Sequence, residues 1–194
     1  MLKDTVLIVV NLQFDLCHPF GSFYVPGGEE IVPLFPLWLN SLTKEKPPIL
    51  DYKTVIGIVD IHSPKHYSFK ENGGEYPRNC VQGTLGVIIP REVERTFATT
   101  LYKGKNPRNR NDQSGFAGKT ECGKNLPQIL EEIGVRKVHI AGLALEYNVK
   151  ATALDAIKLG YRTSIMLQLT RSIPTNASIA ALAELKTEGV NLIA

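Results

Sequence analysis

Short, unbroken apolar runs rich in β-branched residues recur along this chain, and they restrict its fold more than any other feature. Thr5–Val10 reads TVLIVV, Thr54–Val59 TVIGIV, Ala98–Lys103 ATTLYK, Lys137–Gly142 KVHIAG and Arg162–Leu167 RTSIML, with a weaker VNLIA at the end. Continuous rather than alternating apolar character marks strands covered on both faces, the pattern of a parallel sheet. Between the runs lie the helical spacings NLPQILEEIGV, EYNVKATALDAIKLG and IAALAELKTEG, the last followed by a chain reversal at Gly189. GEEIVPLFPLWLNSLTKE is also helical in spacing, with Pro33 and Pro36 making its first part irregular. Strands alternating with helices through right-handed crossovers predict an α/β fold, a three-layer sandwich with a mostly parallel sheet.

A chain of 194 residues with 43% hydrophobic composition can bury a full core as one unit, so residues 1–194 are read as a single domain. The three cysteines, Cys17, Cys80 and Cys122, are odd in number and unrelated in spacing, which argues against a disulfide framework and for a reducing compartment. The apolar run near the start is too short to span a bilayer, and no cleavage signal accompanies it. The expectation is a soluble, intracellular chain, cytoplasmic by default, with no membrane partner.

A net charge of +3 implies no nucleic-acid partner unless the charge is concentrated. One loop concentrates it: Lys103, Lys105, Arg108 and Arg110 fall together, with Arg78 and Lys65 expected on nearby loops. Such a loop reads first as a solvated face, and second as a phosphate-contact surface for an RNA-containing assembly or an acidic partner. No aromatics are interleaved in it, which argues against sequence-specific single-strand recognition.

In open α/β sheets ligands gather beyond the carboxyl ends of the strands. The residues that matter most are therefore Asn11, Asp60, Lys103 and the turn from Ala144 to Asn148. In that turn a buried strand passes straight into a helix, whose unpaired N–H groups favour an anion or oxyanion. The position that could carry a nucleophile is Asn148, and an amide is neither a nucleophile nor a base. Asp15 and Gln13 read as turn and strand-end hydrogen-bonding residues, and His139 as a packed, hydrogen-bonded strand residue.

These strand ends and their flanks together resemble the isochorismatase-like hydrolases, and among them the nicotinamidases, over essentially the whole chain. The segments that carry the resemblance are LIVVNLQFDLC with GSFYVPGG, DIHSPKHYSF, YPRNCVQGTLG, YKGKNPRNRNDQSGF and GLALEYNVKATALDAIKLGY. The resemblance implies a thiol that attacks an amide carbonyl, an aspartate that moves the proton and a lysine that holds the charge pattern. Lys103 matches the lysine, Asn11 stands at the aspartate position and Asn148 at the cysteine position. It also implies oxyanion donors at Ala144 and Asn148, and a cis Leu143–Ala144 bond.

The same resemblance implies a divalent metal, Zn²⁺, Mn²⁺ or Fe²⁺, at Asp60, His62 and His66, with Asn79 as a weak fourth ligand. The positions where nicotinamidases carry ring-sandwiching aromatics match Leu16, Tyr76 and Gln113, so one aromatic of the three remains. With Asn11 uncharged, Lys103 is expected to lack a carboxylate partner, which would favour either an acidic ligand or a lowered lysine pKa. The expected function is a nicotinamidase-like pseudoenzyme, a structural or interaction subunit of a homo-oligomer or larger, ribonucleoprotein-type complex. The alternative is an active or weakly active amidohydrolase of nicotinamide or a related small substrate. A third expectation is a sensor that binds such a ligand without turnover.

Overall fold

The structure, a computed structural model, describes residues 4–35, 52–110 and 112–194. Its six strands are β1 (Thr5–Val10), β2 (Thr54–Asp60), β3 (Thr99–Lys103), β4 (Lys137–Gly142), β5 (Arg162–Thr170) and β6 (Asn191–Ile193). They form one sheet in the order β3-β2-β1-β4-β5-β6, and every adjacent pair is parallel. The sheet is thus parallel throughout, where the sequence predicts a mostly parallel one. β5 continues to Thr170, past the apolar RTSIML run, because the β4–β5 register shifts between Ile140 and Gly142 and lets Gly142 pair with Thr170.

All six residues of β1 are buried, as its unbroken apolar run requires. Val6, Ile8 and Val10 join the core on one face with Ile56, Leu101 and Ile140, against helix residues Leu126, Leu130, Val149 and Ala153. Leu7 and Val9 join the other face with Leu16, Val25, Ile31, Phe35 and Leu143. Fully burying such side chains stabilises by about 1.5–3 kcal/mol each, so this one strand anchors both outer layers.

Local chemistry sets the helix ends. Asn125 and Gln128 cap helix Leu126–Ile133 reciprocally, and Thr175 and Ser178 do the same for Asn176–Thr187. The latter ends at Glu188, and Gly189 (φ 82°) makes the left-handed reversal that follows. Of the proline-containing helical spacing, the described part is a four-residue helix, Gly28–Ile31, that stops before Pro33; the expectation beyond Phe35 lies outside the described residues up to Tyr52. No helix among the described residues is long and apolar enough to cross a membrane.

The strand order puts the topological switch at β1. Chain leaves toward β2 on one side and β4 on the other, opening a crevice beyond their carboxyl ends. Asn11, Asp60, Lys103 and Ala144 all sit at that edge.

Candidate active site

Asp60 closes β2 and is the hub of the crevice. Gln13 clamps its backbone from both sides: the Asp60 N–H donates to Gln13 Oε1 at 2.8 Å, and Gln13 Nε2 donates to the Asp60 carbonyl at 2.7 Å. Its carboxylate Oδ1 lies 2.5 Å from Lys103 Nζ. Oδ2 accepts from Asn11 Nδ2 at 2.6 Å and from Asn148 Nδ2 at 3.4 Å. Asp60 is 3% exposed and Lys103 4%. Burial alone would push this carboxyl up, but Lys103, His62 and the Asn11 hydrogen bond together outweigh it and hold its pKa below the ordinary value.

This geometry corrects the expectation of a lysine without a carboxylate. β2 and β3 pair with Asp60 directly opposite Lys103, so the counter-charge comes from the neighbouring strand. Asn11 adopts φ 53°, a left-handed conformation that asparagine tolerates better than most residues, and its Oδ1 is buried without a partner.

His62 and His66 come together with ring centroids 4.5 Å apart. His62 Nδ1 lies 2.9 Å from the backbone carbonyl of Asn79, and its Nε2 lies 3.9 Å from Asp60 Oδ2. Burial lowers the His62 pKa. Asn79 thus orients His62 through its backbone, while its side-chain Nδ2 donates to Pro77 O at 2.9 Å. His66 is engaged on both sides, Nδ1 2.8 Å from Ser68 Oγ and Nε2 3.0 Å from Asp112 Oδ2. Asp112 has no place in the sequence reading; it sits in the polar loop after β3, and nothing in the local pattern sets it apart from its neighbours.

The metal test follows from these bonds. Both Asp60 oxygens and His66 Nε2 are engaged within the protein, and among the described residues no group of three His, Cys, Asp or Glu is arranged to hold an ion. As they stand, the residues do not fit a divalent cation.

On the wall, Leu16, Tyr76 and Gln113 all line the cleft, as do Ala144 and Asn148. Phe23 and Tyr147 line it too and stand 5.7 Å and 5.3 Å from the Tyr76 ring. With Tyr67, four aromatics therefore line the cleft, where the positions matched from the sequence hold one. Phe23 lies in GSFYVPGG and Tyr147 beside Asn148, and neither position stood out by type. The cleft is partly open to solvent, with about 50 Å³ of free volume between its walls.

The turn after β4 carries the cis Leu143–Ala144 bond and then a π-helical turn, Leu145–Val149, which leads into helix Lys150–Lys158. Within it Glu146 is 5% exposed; its Oε1 accepts from the Ile173 N–H at 2.9 Å, and its Oε2 has no partner. Burial pushes this carboxyl up. A carboxyl whose pKa is raised by folding destabilises the fold as pH climbs from the ordinary carboxylate value through the raised one. Glu146→Gln keeps an acceptor for Ile173 and never ionises. It is expected to be more stable than the natural protein at pH 8 by about 1 kcal/mol and to lose that advantage near pH 4, read by urea denaturation at the two pH values.

Cys80 is fully buried, does not line the cleft, and burial raises its thiol pKa well above the usual value. Its N–H donates to Asp15 Oδ2 at 2.7 Å, which gives Asp15 the hydrogen-bonding role read from the sequence. His139 packs as expected, its Nδ1 2.6 Å from the Tyr52 hydroxyl. The basic loop is less free than its sequence suggests. Lys103 is buried against Asp60, Lys105 lies over the Tyr102 ring, Arg110 over the Tyr67 ring, and Arg78 pairs with Glu71.

A parallel sheet in this order, with Asp, Lys and two His converging at its switch point, defines an α/β protein with a polar cleft at the carboxyl edge of its strands. An isochorismatase domain matches residues 5–194, and the chain belongs to that family. Within it the similarity is to nicotinamidases. The nicotinamidase/pyrazinamidase of Mycobacterium tuberculosis (strain ATCC 25618 / H37Rv) is 30% identical over 195 residues, covering 96% of this chain and 97% of that protein. PnC1 from L. infantum, solved in complex with nicotinate, superposes with a TM-score of 0.85 at 29% identity, covering 100% of this chain and 93% of that one. The pyrazinamidase of Pyrococcus horikoshii, solved in complex with zinc, gives 0.80 at 32% identity, covering 98% of both.

Proposed function

We propose that this chain is a nicotinamidase-family protein whose cleft receives a small planar amide or acid without hydrolysing it by the thiol route, and that it serves as a structural or interaction subunit of a homo-oligomer or larger complex. The observation that carries the reading is the identity of the groups at the crevice. Asn148 stands at the helix start, Asn11 donates to Asp60, and no thiol lines the cavity among the described residues. Loss of a nucleophile removes several powers of ten in rate, and losses within one catalytic unit are far from additive. The wall of the cleft supports the same reading, since Phe23, Tyr76 and Tyr147 line it and offer ring faces to a planar ligand.

The second reading is an active amidohydrolase of nicotinamide or a close relative. Full-length similarity to nicotinamidases favours it, as do the nicotinate and zinc in the related structures. In this chain it requires water as the nucleophile, activated near Asp60 and Lys103.

Ammonia release from nicotinamide decides between the two. The purified protein is assayed with Zn²⁺, Mn²⁺ or Fe²⁺ supplied, beside the variant Asn11→Asp/Asn79→His/Asn148→Cys. The natural protein is expected to stay at the blank rate. Turnover well above it would establish the second reading and end the first. Light scattering of the natural protein reads the assembly state, and a monomer at all concentrations would remove the homo-oligomer.

A further inference from the structure

We infer that the carboxylate of Asp112 occupies the His66 nitrogen that a divalent cation of this cleft would use, and that together with the Asp60–Lys103 pair it makes the site metal-independent. The inference rests on the family reading of Asp60, His62 and His66 as ligand positions, but it does not depend on whether the protein hydrolyses anything.

His66 is 1% exposed and lies beside Asp112, which is 5% exposed. At 3.0 Å His66 Nε2 and Asp112 Oδ2 share a hydrogen bond, made in the tautomer in which the ring nitrogen donates to the carboxylate. A protonated ring nitrogen has no lone pair for a metal. Nδ1, the other nitrogen, then accepts from the Ser68 hydroxyl at 2.8 Å. Both nitrogens are satisfied without an ion.

Asp60 is closed in a second way. Asn11 turns an N–H toward Asp60 Oδ2 at 2.6 Å, and Lys103 Nζ sits 2.5 Å from Oδ1. An aspartate at position 11 would repel Asp60 and offer Lys103 another anion, leaving Asp60 oxygens for a cation. The Asn11 amide does neither. Asn79 completes the pattern, its side chain donating to Pro77 O at 2.9 Å. What remains is His62 Nε2, and one imidazole nitrogen does not make a site.

The two features act through different residues, His66 and Asp112 in loops and Asp60 and Lys103 at the ends of β2 and β3, so each can be reversed separately. Zn²⁺ and Co²⁺ are the probes, read by metal content after dialysis, by melting temperature and by the visible absorption of bound Co²⁺. The natural protein is expected to retain less than about 0.1 equivalent of either ion and to show no melting shift. Asn11→Asp/Asn79→His/Asp112→Ala supplies a second carboxylate for Lys103, a third imidazole and a free His66 Nε2. It is expected to bind one Co²⁺ per chain and to melt about 5–10 °C higher at a hundredfold excess over its dissociation constant.

Stoichiometric metal in the natural protein overturns the inference. If Asp112→Ala alone then loses that metal, Asp112 is a ligand and not a substitute for one. A triple variant that melts cooperatively but takes no Co²⁺ overturns it as well, because the two pairs would then not be what keeps the ion out. If the triple variant does not fold, Asp112→Asn in the Asn11→Asp/Asn79→His background takes its place under the same criteria. Metal bound without ammonia release would sink this inference and leave the non-hydrolytic reading standing, while ammonia release without metal would do the reverse.

Discussion

Lys103→Met is expected to destabilise the protein by about 3–5 kcal/mol, the range measured when one partner of a buried ion pair is removed. Both groups are almost wholly buried, and the substitution leaves Asp60 with two amide donors and no counter-charge. In the natural protein the Asp60 pKa is held below its unfolded value. Its contribution to stability is therefore present above the ordinary carboxylate value and is lost as pH falls through the depressed one. Without Lys103, burial dominates and the sign reverses, so stability of the variant is expected to fall as pH rises from 5 to 8. The double variant Asp60→Asn/Lys103→Met removes both charges and should recover more than half of the loss. Urea denaturation of the natural protein, of Asp60→Asn and Lys103→Met singly and of the double variant closes the cycle. A loss below about 1 kcal/mol in Lys103→Met would show that the pair contributes little to folding.

Gly142→Ala is expected to do more damage still. Gly142 ends β4 at φ 119°, where a side chain is strained, and an added Cβ would stand 1.9 Å from the Val10 carbonyl oxygen. That oxygen accepts from the Leu143 N–H, and Val10 and Gly142 are partners in the β1–β4 register. The clash thus falls on backbone between the two central strands, where neither neighbour can give way. Backbone strain alone amounts to about 1–3 kcal/mol, and the collision should take the total past about 4 kcal/mol, enough to drop the melting temperature by more than about 10 °C or abolish soluble expression. Gly73→Ala is the control. Its φ is 88°, but nothing lies within 4 Å of its added Cβ, so only the conformational strain should register. Equal melting shifts in the two variants would show that the contact with Val10 is not decisive.

Much of the architecture was legible because its signal is local. TVLIVV and KVHIAG can sit only where both faces are covered, and the rule that ligands lie beyond strand ends then selected Asn11, Asp60, Lys103 and Ala144 in advance. What the sequence did not disclose is lateral. That Asp60 faces Lys103 depends on β2 and β3 being neighbours in one particular register, and strand order is not written in either strand. Asp112 reaches His66 across 46 positions of sequence from a loop with no periodicity to read. Phe23 and Tyr147 were hidden for the opposite reason. Exposed or half-buried aromatics are common, and only the fold shows that these two meet Tyr76 at one opening.

The position of β1 also has a consequence for how the molecule is made. Of the described strands, β1 is made before the others yet lies in the interior of the sheet, and one of its two edges stays bare until the chain has been synthesised through Gly142, since Thr5 pairs with Lys137 and Val10 with Gly142. Its partner on the other side, β2, comes earlier but also lies far along the chain. Such distant pairings slow folding, and an apolar strand waiting with an open edge is a template for neighbouring nascent chains. Expression temperature and chaperone supply should therefore govern the yield of this protein more than the stability of its finished fold does.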